Sequence, residues 1–472
     1  MTSDRNITSG ELVKSSLWYT VGNFIQKGIM YLTVPLFARL MTKAEMGDYS
    51  NYLAWIEIFV IVVGFSLESS INRARIDFPG EVKQYCSTLL ILGTGMSMVD
   101  YLIVIALMRQ FEVWLSLDSF YIHLMFAYLL SMHAYSIYLA LQRIKYKYKT
   151  SVLITVGYAV ISTAASIVLV LLMQDKFMAR SLGHVVPYIV ISIPIYVFLI
   201  TEGRSFQWRY VKYALGFCWP FVLHSLALRV LNLSDRVMIT NMVGSEANAT
   251  YTIANNCVAI AGLFVLSLNT AISPWVFDQL EKKDYHSLKK MTLPYVAIFC
   301  LIIQLIQLAA PEILLIMGGE KYLDARDCFL PLFTSMIVTF CYTMYVNVEQ
   351  YSRKTWAIAL GTGIAATLNV VLNLFLIPIF GYTAAAYTTL AGYTVLFVVH
   401  FVFVRIIGYK NIYNDKVIFL FLGFSFVMQA VIGLLYQHQI ARYIVLAIMM
   451  IGIVVALFKY KNQLLTILKK KR

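Results

Sequence analysis

The sequence predicts an all-α polytopic membrane protein: about fourteen transmembrane helices, in two six-helix bundles related by a parallel pseudo-repeat, plus a C-terminal helix pair. Three observations predict it. The 472 residues are 60% hydrophobic and only 13% charged, with a mean hydropathy of +0.73, whereas a soluble domain is about half apolar and a quarter charged. The apolar residues fall in runs of about 20, the length that crosses hydrocarbon. Lys and Arg cluster between these runs, in loops that alternate rich and poor in positive charge. The net charge of +14 therefore reads as membrane topology, and nucleic-acid binding is not expected.

The elements follow in order. The polar start MTSDRNITSGELVKSS is not followed by a small-residue cleavage site, so no cleaved signal peptide is expected. The first span, 14–38, leads over Arg39 and Lys43 to the second, 47–71. Arg73, Arg75 and Lys83 precede the third, 84–108, and only Arg109 separates it from the fourth, 112–141. Arg143, Lys145, Lys147 and Lys149 precede the fifth, 151–173; Lys176 and Arg180 mark the entry to the sixth, 179–201. Arg204, Arg209 and Lys212 introduce the seventh, 213–242, and no basic residue precedes the eighth, 246–270. Lys282, Lys283, Lys289 and Lys290 precede the ninth, 291–310, and Lys321 and Arg326 the tenth, 329–350. Arg353 and Lys354 open the eleventh, 355–378, and the twelfth, 382–406, follows at once. Arg405, Lys410 and Lys416 precede the thirteenth, 417–436, and Arg442 starts the last, 442–459. With both termini cytoplasmic, 27 Lys and Arg lie inside and 8 outside, as the positive-inside rule requires. The three left over, Lys27, Arg229 and Arg236, fall within the membrane. No connection is long enough to house an extramembrane domain. The six Cys form no CxxC pair and mostly lie in apolar runs, so neither a disulfide nor a metal site is expected.

The two halves repeat weakly. A shift of 202 residues places Lys27 on Arg229 and Tyr49 on Tyr251. A shift of 205 places the Lys-Thr at 149–150 on that at 354–355, and Pro187-Tyr188 on Gly392-Tyr393. Six spans is an even number, so both halves share one orientation, and the expected substrate site lies between them. The lobes are expected at 1–206 and 207–408, with 409–472 as an additional helix pair and basic tail.

The stretch RVLNLSDRVMIT (229–240) puts Arg229, Asp235 and Arg236 in the seventh span, where each charge costs roughly 2.5–3.5 kcal/mol at a helix centre. At about 100° per residue, Ser225, Arg229, Asn232 and Arg236 form one polar stripe, with His224 and Asp235 at its margins. Thr20, Asn23 and Lys27 form a matching stripe on the first span. Lipid cannot satisfy such stripes, so they must face protein or water. Arg suits phosphate because its planar fork pairs bidentately, and Lys acts as a point charge. The competing reading pairs Arg229 or Arg236 with Asp235 or Glu57 as helix glue. In the second span Glu57, Gly64 and Glu68 share a face, making Glu57, Glu68 and Asp235 candidates for ion coupling; a salt bridge to Lys27 or an Arg is the alternative for Glu57. Asp100 is expected near outer water. His133 and His184 read as hydrogen-bonded bundle residues, and Asn369 and Asn373 as interhelical hydrogen-bonding groups. Pro35, Pro187, Pro194, Pro220, Pro274 and Pro378 can kink their helices.

Four stretches, in order, resemble the bacterial O-antigen and oligosaccharide (polysaccharide biosynthesis) flippases of the multidrug/oligosaccharidyl-lipid/polysaccharide exporter superfamily. They are NFIQKGIMYLTVPLFARLMTKAEMGDYSNY (23–52), LSDRVMITNMVGSEANATYTIANN (233–256), PEILLIMGGEKYLDA (311–325) and LNVVLNLFLIPIFGYTAAAYTTLAGY (368–393). The resemblance implies two six-helix bundles around a central cavity. It also implies a cargo of undecaprenyl-pyrophosphate-linked oligosaccharide, moved from the cytoplasmic to the outer leaflet of the bacterial inner membrane for O-antigen, capsule or exopolysaccharide assembly. Lys27, Arg229, Arg236, Asn23 and Asn232 would then hold the pyrophosphate. The chain would act as a monomer among membrane lipids, beside a polysaccharide polymerase and a chain-length regulator, with no cofactor or metal. The alternative is a cation-coupled multidrug exporter of the same fold, which would want an acidic, aromatic cavity for cationic drugs. An enzyme is not expected: there is no HExxH, HxxxD or nucleotide-binding motif, and no large outer loop such as a polymerase would carry.

Overall fold

The computed structural model describes residues 9–145, 147–352 and 356–452, with no strand among the described residues. Arg5, Arg353, Lys354 and the basic tail from Lys459 to Arg472 lie outside the described residues. In chain order the helices are α1 (Ser9–Leu40), α2 (Lys43–Gly64), α3 (Ile71–Asp77), α4 (Val82–Ala106), α5 (Met108–Leu115), α6 (Ser119–Ile144), α7 (Tyr148–Leu172), α8 (Lys176–Gly203) and α9 (Trp208–Met242). There follow α10 (Ser245–Glu281), α11 (Tyr285–Leu308), α12 (Ala310–Met317), α13 (Arg326–Tyr351), α14 (Trp356–Phe380), α15 (Tyr382–Ile406), α16 (Asp415–Leu435) and α17 (Gln439–Gly452). Two 3₁₀ turns, Leu67–Ser70 and Glu320–Ala325, precede α3 and α13.

Eleven of these helices are long and apolar enough to cross a membrane, and up to twelve if α2 and the bent segment Leu67–Asp77 count as one span. α1 and the shorter α17 stand where the first and last of the fourteen predicted spans were expected. By length and composition the described residues therefore do not reach fourteen.

Two predicted spans are divided. The second is bent by 51° where Phe65 and Ser66 take left-handed backbone conformations, φ 50° and 48°. Neither residue is a glycine, so the bend carries a steric cost that the surrounding packing sustains. Glu68 lies beyond the bend on a 3₁₀ turn. It does not continue the helical face of Glu57, contrary to the 3.6-residue extrapolation. The fourth predicted span, 112–141, is also two elements. Ser116, at φ 51°, ends α5, and Glu112 caps the next helix by accepting from the Ser119 amide at 3.0 Å. The named prolines all sit inside helices.

The chain packs as two compact units, residues 1–252 with 366–385, and residues 253–365 with 386–472. In the first unit α8 packs on α6 and α7, α7 on α1, and α2 on α9. α2 begins with a capping box, in which Thr42 and Glu45 satisfy each other's backbone amides, and this fixes the helix start. Tyr128, Tyr135, Tyr158 and Tyr188 form a ring cluster with centroid separations of 4.2 to 6.1 Å. The starts of α2 and α10 touch at backbone level. A Cβ on Gly47 would stand 1.7 Å from the Ser245 carbonyl oxygen, so only glycine fits there. Asn248 Nδ2 donates to the Gly47 carbonyl at 3.0 Å, and Ser50 Oγ and Thr252 Oγ1 share a hydrogen bond of 2.7 Å. Ser50 and Thr252 are 202 residues apart, the offset that relates Lys27 to Arg229. Residues related by that offset therefore meet here.

In the second unit α11 packs on α13 and α16, around Phe299 stacked on Phe340 at 4.1 Å and Phe329 on Phe333 at 4.2 Å. α17 is held by Arg442, whose guanidinium donates to both Glu312 carboxylate oxygens at 2.6 and 2.5 Å and to the Leu308 carbonyl at 2.7 Å.

Candidate functional site

α9 carries the intramembrane charges, and its two sides differ. Arg229 and Asn232 are exposed and Ser225 and Arg236 are half-buried, while Leu231, Ser234, Asp235 and Val237 are buried. The polar stripe thus stays open. Asp235, about 100° round the helix from Arg236, turns into the packed interior. Asn232 is tied to its own helix, donating to the Leu228 carbonyl at 2.7 Å.

Arg229 forms an ion pair with Glu57 of α2, and both side chains remain about half exposed (44% and 46%). The sequence allowed either an open cation or a helix-gluing pair, and the geometry is a pair that leaves both side chains partly uncovered by protein. Such pairs contribute little to stability, about 0–1 kcal/mol.

Asp235 is only 2% exposed. Tyr251 Oη donates to one of its oxygens at 2.6 Å and Asn373 Nδ2 to the other at 2.5 Å. Asn373 also donates to Asn369 Oδ1 at 3.2 Å, and Ser234 Oγ donates to the same oxygen at 3.4 Å. A hydroxyl and an amide donor, one on each oxygen, suit a carboxylate, and the charge of Arg236 on the next residue opposes the cost of burying it. Asn369 and Asn373 bond across helices as the sequence suggested. The arrangement offers one carboxylate among hydroxyl and amide oxygens. Among the described residues no group of three or more His, Cys, Asp or Glu is placed to hold a metal ion.

Lys27 is exposed on α1 and makes no ion pair among the described residues. Asn23 lies on the same helix, its side chain outside the described residues. Glu68 is half-buried on its 3₁₀ turn. His133 is buried and bonded to Ser97 Oγ at 2.7 Å, and His184 meets Tyr158 Oη at 3.2 Å; both are bundle histidines, as expected.

A second feature was not read from the sequence. An open pocket of about 610 Å³ is lined by Glu45, Asp48, Glu112, Asp118, Asp175 and Tyr121, among others. These residues sit at the starts of α2, α6 and α8 and along α5, at helix ends rather than at mid-span. Asp48 there accepts a hydrogen bond from the Ser245 hydroxyl. Two cations assigned to loops by sequence are also buried. Arg180 is clamped between the rings of Phe37 and Tyr49, each centroid 4.0 Å from the guanidinium carbon, and Arg442 pairs with Glu312. Buried cations of this kind look like loop charges in a sequence, because their partners lie far along the chain.

Residues 12–280 match a family described as "Polysaccharide biosynthesis protein". The chain belongs to the polysaccharide biosynthesis protein family. Residues 220–375 also match the family described as MatE. Among curated relatives of this family member, an uncharacterized membrane protein of Haemophilus influenzae is 22% identical over 359 residues, covering 73% of this chain and 85% of its own. The "Lsg locus putative protein 1" of the same organism is 21% identical over 359 residues, covering 73% and 86%. An uncharacterized membrane protein of Methanocaldococcus jannaschii is 21% identical over 478 residues, covering 94% and 93%. Among solved structures, the lipid II flippase MurJ in an inward closed conformation superposes with a TM-score of 0.76 at 12% identity, over 95% of this chain and 100% of that one. An inward-facing multidrug resistance MATE family transporter of the MOP superfamily superposes with a TM-score of 0.55 at 15% identity, over 80% and 97%. At these identities the likeness establishes the fold, which this polysaccharide biosynthesis family member shares with flippases and multidrug transporters.

Proposed function

We propose that the chain is a flippase that moves an undecaprenyl-pyrophosphate-linked oligosaccharide from the cytoplasmic to the outer leaflet of a bacterial inner membrane, for surface polysaccharide assembly (O-antigen, capsule or exopolysaccharide). The observation that carries the reading is that Lys27 on α1 and Arg229 on α9, two basic residues inside predicted spans, both stay exposed. Moving a bare pyrophosphate through hydrocarbon is prohibitive for the Born reason, and exposed cations at mid-span lower that barrier. The proposed lobes are 1–206 and 207–408, with 409–472 as an appended pair, and the Ser50–Thr252 contact supports a two-fold relation between repeats. Cytoplasmic termini, action as a monomer, and a polymerase and chain-length regulator as neighbours belong to the same proposal.

The Arg229–Glu57 pair refines the mechanism. In the empty carrier Glu57 stands in for the absent anion; when the pyrophosphate arrives, its oxygens replace the carboxylate on the guanidinium fork. The empty site then carries chiefly the charge of Lys27. At about 100 mV, one charge crossing the full potential is worth about 2.3 kcal/mol, enough to bias the return step. Asp235, with Glu57 and Glu68, is the place proposed for any coupling ion, and Asn23, Asn232 and Arg236 complete the proposed pyrophosphate contacts.

The second reading, a multidrug exporter, draws support from the MatE match and from the acidic pocket with Tyr121. That pocket lies at helix ends, away from the charged stripe, so the anion reading takes precedence. The test is export by Lys27→Ala and Arg229→Ala variants in cells lacking the native protein. Both variants are expected to reach the membrane at normal levels and fail to export. Full export by both at native expression overturns the reading.

A further inference from the structure

The second unit buries an acid and a base that the transport reading does not use. Glu349 of α13 and His400 of α15 are 0% and 1% exposed, and His400 Nδ1 lies 2.9 Å from Glu349 Oε1. Among the described residues, Glu349 Oε2 and His400 Nε2 have no hydrogen-bond partner. The Tyr342 ring stacks on the imidazole, centroids 5.6 Å apart and planes at 19°, which fixes the ring plane. Gly361 of α14 lies alongside, where an added Cβ would come to 3.5 Å from Nε2.

We propose that Glu349 and His400 form a proton-binding site whose proton leaves when the second unit opens to water, linking its conformational cycle to pH. A carboxylate has only lone pairs, so the ring nitrogen facing it must carry a hydrogen. With one ring proton the pair is a net anion in an apolar interior. With a second proton on the ring it is neutral overall, an imidazolium beside a carboxylate. Burial selects the neutral form. In water an imidazole exchanges that proton near neutral pH. A conformation that wets the pair therefore passes one H⁺ from the ring nitrogen to water, and repacking takes one back. The carboxylate keeps its hydrogen bond to the remaining N–H.

Among the described residues neither Glu349 nor His400 makes a second ion pair. Arg405 on α15 is paired with Asp415 on α16 at 2.5 Å, and Tyr345 of α13 donates to Asp415 at 2.8 Å. α14 has no ionisable side chain. α10 carries Asp278 and Glu281 near its end, and α11 carries His286, Lys289 and Lys290 near its start. A purely structural strap between α13 and α15 is the rival explanation, and it predicts no change of protonation.

The proposal does not depend on the cargo. The test is ¹⁵N-histidine solid-state NMR of the full chain in phosphatidylethanolamine–phosphatidylglycerol liposomes at about pH 7.5, near the physiological range of histidine switching. His400→Gln assigns the signal. In the wild type His400 is expected to carry both ring protons, and in Glu349→Gln only one. A singly protonated His400 in the wild type overturns the proposal, and so does protonation unchanged by Glu349→Gln. If Glu349→Gln does not insert, the wild-type spectrum decides alone. In proteoliposomes loaded with undecaprenyl-pyrophosphate-linked oligosaccharide, a pH step is expected to change the wild-type rate several-fold and to leave His400→Gln unaffected. A full response in His400→Gln overturns the proposal. If the wild type moves none of this lipid, the cargo reading fails while the NMR result still decides this one.

Discussion

Arg229 and Glu57 can be separated into a cargo contact and a helix strap by a double-mutant cycle: Arg229→Ala, Glu57→Gln and the pair together. Both side chains are about half exposed, so the pair is expected to contribute at most about 1 kcal/mol to folding, and each single variant should lose no more than that in thermal unfolding. Cargo binding should behave differently. A bidentate guanidinium–phosphate contact makes two charge-assisted hydrogen bonds, about 1.5–3 kcal/mol each. Losing both costs about 3–6 kcal/mol, or roughly 10²–10⁴ in affinity at 1.4 kcal/mol per tenfold. Calorimetric titration of purified protein with undecaprenyl pyrophosphate reads that loss. Glu57→Gln should bind as well as the wild type or better, because the phosphate no longer displaces a carboxylate, and the double variant should bind as poorly as Arg229→Ala. The reasoning is refuted if either single variant destabilises the fold by about 3 kcal/mol or more, the double variant recovers stability, and binding is unchanged throughout.

Three further outcomes follow from the structure. A cysteine at Lys321 should react with an impermeant reagent from outside intact cells, and one at Lys147 only after permeabilisation. Both positions are exposed, whereas neighbouring Tyr322 is buried; the reverse pattern would invert the topology. Gly47→Ala should lower the thermal midpoint by the equivalent of about 2 kcal/mol or more, because the new Cβ meets a backbone carbonyl that cannot rotate away; an unchanged midpoint would mean that α2 and α10 do not approach as described. Glu312 is pulled from 4.5 to about 2, chiefly by its bonds from Arg442. A depressed carboxyl contributes stability above its unfolded value and loses it as pH falls toward 2. The contribution is about 1–2 kcal/mol after discounting for its partly exposed side chain. The stability gap between wild type and Glu312→Gln should therefore be widest near neutrality and shrink below about pH 4.5, and a gap independent of pH would contradict the pairing.

The spans were legible because hydrocarbon thickness imposes a length on apolar runs. The predicted 151–173 and 179–201 correspond to α7 at Tyr148–Leu172 and α8 at Lys176–Gly203. The breaks at Phe65–Ser66 and Ser116 were not legible, since left-handed backbone at a non-glycine residue leaves no compositional mark. Helical periodicity grouped Arg229 and Asn232 on one open stripe. It could not say that Asp235, one residue before Arg236, finds its donors on Tyr251 and Asn373, 16 and 138 residues away. Arg180 and Arg442 read as loop cations because the rings and carboxylate that bury them come from distant helices. Glu349 and His400 lie 51 residues apart in no motif, and only the packing of α13 against α15 brings them together.

The central claim is that the chain carries an anionic lipid-linked glycan across the membrane. The direct measurement is reconstitution of the purified full chain in proteoliposomes with fluorescently labelled undecaprenyl-pyrophosphate-linked oligosaccharide, scoring the fraction that becomes accessible to a glycosidase on the opposite face. The account predicts protein-dependent movement that Arg229→Ala and Lys27→Ala abolish while a cationic dye is not transported. Movement of the cationic dye without movement of the lipid-linked glycan would contradict it.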